Sequence, residues 1–101
     1  MRTLNNILKE ELARLKSLEK HYESVLAEYP RGCLIKKRLK GHAYYYLNYR
    51  EKEKQIYKYL GRLDEHRLSE LQGKLKERNK LRKLYIQVKQ DIKSVGKKAH
   101  G

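Results

Sequence analysis

The chain has 101 residues, the length of one domain. It carries 26 Lys and Arg against 12 Asp and Glu, a formal net charge of +14, well beyond what solubility asks of a small domain. That excess calls for an acidic partner, with nucleic acid first and an anionic membrane surface or acidic protein behind it. No stretch of about 18 apolar residues is present, which excludes a transmembrane helix, and Cys33 stands alone, which excludes a disulfide scaffold and fits a reducing cytoplasm.

Residues 4–29 read as the first helix. Leu8, Leu15, Tyr22 and Tyr29 recur every seven residues, and Leu4, Leu18 and Val25 fill the complementary positions. Glu11 interrupts the pattern, while Leu12 and Leu26 widen the stripe. Such a heptad seam asks for a partner helix. Thr3 is the expected N-cap. Pro30 and Gly32 are expected to end the helix, since Pro disfavours helical geometry at Tyr29. The acids within this segment and its lack of an apolar core argue against a secretory signal.

Residues 33–60 change character. Cys33 to Leu39 reads as a strand, Lys40 to His42 as a turn, and Ala43 to Tyr49 as a second strand rich in aromatic β formers. Arg50 to Glu53 is a charged turn, and Lys54 to Leu60 is a third strand closed by Gly61. The short connections predict an antiparallel meander. Alternation groups Ile35 and Leu39 with Cys33, Tyr45, Leu47 and Tyr49 with Ala43, and Ile56 and Leu60 with Lys58.

Residues 64–95 read as a second long helix, N-capped by Asp64. Its apolar stripe comprises Leu68, Leu71, Leu75, Leu81, Tyr85, Val88, Ile92 and Val95, with a slip where Arg78 intervenes. Gly96 is the expected stop, and residues 96–101 the expected disordered basic tail. The fold class is therefore α+β: two long helices, about 4–29 and 64–95, form an antiparallel coiled-coil-like pair flanking a small three-stranded meander, about 33–60, in a single domain 1–101. A homodimer through the heptad seam uses the same stripes.

The charge is uneven. Residues 1–30 hold 5 basic and 5 acidic side chains, residues 31–62 hold 10 and 2, and residues 63–101 hold 11 and 5. The first helix is thus structural by expectation, and the electrostatic footprint belongs to the rest. Of the nine tyrosines, six lie between Tyr44 and Tyr59, interleaved with cations. Tyrosine rings stack on bases, and Lys and Arg neutralise phosphates. The expected nucleic-acid contacts are Lys36, Lys37, Arg38, Lys40, Tyr44, Tyr46, Arg50, Lys52, Lys54, Tyr57, Lys58 and Arg62 in the meander. Arg78 and Arg82 join them from the second helix. Tyr45 and Tyr59 are expected in the sheet's own core, in place of the missing Phe and Trp.

Nothing marks an enzyme. His21, His42, His66 and His100 fall in four segments, one cysteine cannot make a zinc site, and no glycine-rich phosphate loop is present. No catalytic residue, metal or cofactor is expected.

The run GCLIKKRLKGHAYYYLNYREKEKQIYKYLG, residues 32–61, resembles a β module of small prokaryotic coiled-coil proteins. Similar stretches stand near the start of some transposases and Fic-type proteins. The order of three strands then a helix also resembles, as an analogy of order alone, the arm-type DNA-binding domain of phage integrases. The resemblance implies a phage or mobile-element setting and supplies no catalytic residue. The function expected is non-catalytic binding of DNA or RNA. The alternative is a protein-interaction module, such as an inhibitor docking on a host defence ribonucleoprotein in the manner of anti-CRISPR proteins.

Overall fold

A computed structural model describes residues 3–100, with the side chains of Ala99 and His100 left out of the description. The element order is α1 (Leu4–Ala27), β1 (Cys33–Leu39), β2 (His42–Glu51), β3 (Lys54–Gly61) and α2 (Glu65–His100). The fold is the expected α+β arrangement, two helices flanking a three-stranded antiparallel sheet of order β1-β2-β3. The chain's contacts gather into two compact units, one of residues 1–28 with 79–101 and one of residues 29–78. Helix α2 runs without a break from the second unit into the first.

In the first unit α1 pairs antiparallel with the C-terminal part of α2. The Tyr85 hydroxyl donates to the Glu23 carboxylate at 2.7 Å, and Leu4 and Leu8 line a shallow depression with Lys97 and Lys98. Leu15 and Val88 are the buried residues of the seam. The half-buried positions of α1 follow the heptad, at Leu8, Glu11, Leu12, Leu18, Glu19, Tyr22, Val25 and Leu26. Glu11 keeps its place on this line because its carboxylate turns along its own helix to Arg14, at 2.6 Å and 3.0 Å. Thr3 caps α1, its hydroxyl accepting from the Asn6 N–H at 3.3 Å. Asp64 caps α2, accepting from the Arg67 N–H at 2.8 Å.

Two helix ends and one position inside α2 differ from the expectations. Helix α1 ends at Ala27, not residue 29. Tyr29 stands beyond it, donating its hydroxyl to Glu77 at 2.9 Å. Helix α2 passes through Gly96 and runs to His100, so residues 96–100 are helical, and only Gly101 of the expected tail lies outside the described residues. A helical glycine costs only about 1 kcal/mol relative to alanine, too little to stop a helix. Arg78 does not interrupt the stripe of α2; it is half-buried in line with Leu75 and Leu81, its long aliphatic stem serving where an apolar residue was expected.

The second unit is built on the sheet. Both connections are two-residue turns. Lys40 and Gly41 have φ of 52° and 80°, and Lys52 and Glu53 have φ of 47° and 68°. Two successive positive φ angles give the turn whose twist matches paired strands. His42, Arg50 and Glu51, read as turn residues from sequence, therefore belong to β2. The register pairs Ile35 with Tyr46, Lys37 with Tyr44, Tyr46 with Tyr59 and Asn48 with Tyr57. A bulge opposite Tyr45 and Tyr46 pairs Tyr45 with Gly61 and leaves Leu60 as the extra residue. Leu60 thereby leaves the alternation that grouped it with Ile56 and Lys58.

Tyr45 and Leu47, at 7% and 4% exposure, are the sheet's buried residues. They share a face with Leu34, Tyr49 and Ile56, all half-buried. The Arg31 guanidinium lies 4.5 Å from the Tyr49 ring centre and 3.6 Å from Glu51. These contacts tie the connection after α1 to this face. Gly32 makes the approach possible: with φ of 105°, a side chain there would meet the Asn48 carbonyl oxygen at 2.4 Å.

Gly32→Ala should therefore destabilise the chain by more than about 2 kcal/mol, combining a positive φ with a backbone clash, read as the urea midpoint. Replacing Lys52 and Glu53 together by Asn and Gly should raise stability by about 1 kcal/mol, because neither native residue favours its conformation. An unchanged or lower thermal midpoint would contradict the turn assignment.

Candidate nucleic-acid interface

The two sheet faces differ in kind. The register assigns Cys33, Ile35, Lys37 and Leu39 of β1 to the face opposite the buried one. His42, Tyr44, Tyr46, Asn48 and Arg50 of β2 join them, with Gln55, Tyr57 and Tyr59 of β3. No Asp or Glu stands among them. The sheet's one strand acid, Glu51, is on the other face, held toward Arg31.

This face is open. Leu39, Tyr57 and Tyr59 are 63%, 57% and 58% exposed, and Tyr44 and Tyr46 are half-buried by their neighbours. Tyr46 and Tyr59 form a tilted pair, ring centres 5.2 Å apart at 54°. The Lys37 ammonium lies 5.4 Å from the Tyr46 ring centre, within cation–π range. Leu39, Tyr44, Tyr46 and Tyr59 line one shallow depression. So many aromatic and aliphatic atoms in water mark a binding surface more often than a resting one.

The sequence-derived contact residues separate by location. Lys37, Tyr44, Tyr46, Arg50 and Tyr57 share the open face, whereas Lys36, Arg38, Lys54 and Lys58 are on the opposite face. Lys40 and Lys52 occupy the two turns at opposite ends of the sheet, and Arg62 follows β3. Arg78 is half-buried in the part of α2 that belongs to the sheet's unit, and Arg82 is exposed in the part that belongs to the other unit. All of the meander cations are exposed. The outward lysines on β1 and β3, both edge strands, also discourage edge-to-edge pairing with other chains.

Tyr45 is in the core as expected, but Tyr59 is not: it shares the open face with Tyr46 and Tyr57. The signal was present in the sequence, since Tyr59 follows Tyr57 by two residues and a strand's side chains repeat with period two.

Among the described residues no three His, Cys, Asp or Glu side chains gather as a metal site, and no helix is long and apolar enough to cross a membrane. The Tyr85 hydroxyl titrates above its ordinary range because it donates to Glu23, a contact between helices and distant in chemistry from the sheet. Comparison with known proteins gives no match: no family model, no curated protein and no solved structure is similar to this chain.

Tyr45→Ala and Tyr59→Ala should separate the two faces. Tyr45→Ala should cost about 3–5 kcal/mol, the range for a buried aromatic, whereas Tyr59→Ala should stay within about 1 kcal/mol. Urea melts followed by circular dichroism give both, and equal losses would contradict the face assignment.

Proposed function

We propose that this chain is a non-catalytic nucleic-acid-binding protein whose open sheet face contacts bases and phosphates. The observation that carries this reading is an exposed, acid-free tyrosine face with Lys37 and Arg50 on it and Lys40 and Lys52 in the turns at its ends. Rings offer stacking surface, the cations attract phosphate, and the absence of carboxylates removes the repulsion a polyanion would otherwise meet. The remaining cations of the meander and of α2, Arg82 among them, add long-range attraction. A partner of this kind would place the protein in the cytoplasm.

Fluorescence anisotropy with labelled duplex DNA, single-stranded DNA and RNA should show binding at low salt that weakens steeply as salt rises, because each neutralised phosphate releases counterions. No binding to any of the three at low salt would contradict the proposal. Lys37→Glu should weaken binding more than Lys36→Glu, since only Lys37 shares a face with the tyrosines. Equal effects would move the contact away from that face.

A further inference from the structure

We infer that the open face takes an unpaired nucleic-acid strand, stacking its bases on Tyr46, Tyr59 and Tyr57, rather than a duplex. The inference rests on the nucleic-acid reading above and adds which form of the polymer the face fits.

Residues that share a face along a strand repeat every two positions, about 6.8 Å. The rings therefore form successive rungs: Tyr44, then Tyr46 beside Tyr59, then Tyr57 beside Asn48. Stacked bases in a duplex are about 3.4 Å apart, and their faces are covered by their neighbours. A base can meet a ring on this face only when it has been freed from such a stack. The rung spacing matches an extended strand whose bases are splayed apart.

A duplex major groove, about 12 Å across, admits one helix or a two-stranded ribbon. Here the rings lie on two of three strands spaced about 4.8 Å apart. Leu39, Ile35 and Cys33 of β1 extend the same surface on one side. Three strands make this surface broader than the two-stranded ribbon that fits a groove. It can support bases laid face-down.

Lys37 and Lys40 stand toward one end of the tyrosine rungs, and Arg50 and Lys52 toward the other. A strand crossing the rungs would meet cations on entering and leaving, and bases in between would rest on uncharged rings. The Tyr46–Tyr59 pair, only 5.2 Å apart and tilted, leaves no slot for insertion between the rings, so the pair works as a platform. Stacking of this sort is indifferent to base identity, because every base has a π face.

The test uses the full chain with about 15-nucleotide oligo(dT), oligo(U) and a mixed-sequence duplex. Either single strand should bind more tightly than the duplex, and the ratio of the two names the preferred sugar. Tyr57→Ala and Tyr59→Ala should each weaken single-strand binding about 5- to 150-fold, and Tyr59→Phe, which keeps the ring, should stay near wild type. The salt slope for the single strand should be no steeper than about −3, as four cations border the face. Cys33, exposed and on this face, supplies a readout that needs no mutation: a maleimide should label it more slowly when oligo(dT) or oligo(U) is bound. Duplex binding as tight as single-strand binding, with unaffected tyrosine variants and unprotected Cys33, would overturn this inference and leave nucleic-acid binding standing. No binding to any of the three would overturn both.

Discussion

Everything distinctive about the sheet depends on register. Two two-residue turns, Lys40–Gly41 and Lys52–Glu53, set which residues of neighbouring strands stand opposite one another. A slip of one residue in either hairpin would move every side chain of that strand to the other face. With the observed pairing, Leu34, Tyr45, Leu47, Tyr49 and Ile56 turn inward together, and four tyrosines turn outward together. The bulge at Leu60 absorbs one residue just before Gly61, so the chain leaves the sheet without disturbing Tyr59. The second turn contains no glycine, so its two positive φ angles are held by the strands and not by local preference.

The helices carry a separate load. Without Phe or Trp, the chain has little to bury, and the four buried residues among those described, Leu15, Tyr45, Leu47 and Val88, are divided between two small cores. The neutral first helix supplies one side of a narrow seam, and α2 supplies the other with its last turns. The first turns of α2 belong instead with the sheet. One helix of 36 residues, about 54 Å long, thus serves both cores. Most of its charged side chains are solvent-exposed.

Much of this was legible from residues alone. The heptads of α1, the caps at Thr3 and Asp64, the three strands and the buried Tyr45 follow from periodicity and capping chemistry. The misplaced features have physical reasons. Gly96 reads as a stop because glycine often ends helices, yet nothing in the following residues offers a competing turn. Arg78 reads as a break because its charge conceals an aliphatic stem. Tyr59 reads as core because a chain without Phe or Trp has few other rings to bury, while its parity with Tyr57 decides otherwise. The division of the cations between two faces was the least legible feature, since Lys36, Lys37 and Arg38 are contiguous in sequence and alternate only once the strand is formed.

In the proposed function, one face of the sheet, and not the chain's charge at large, meets nucleic acid. Chemical-shift mapping by NMR during titration with an oligonucleotide tests it most directly. The largest changes should fall on Cys33, Lys37, Tyr44, Tyr46, Tyr57 and Tyr59, with Lys36, Arg38, Lys58 and the α1 surface little moved. Changes spread evenly over the basic residues, or concentrated on α2, would contradict it.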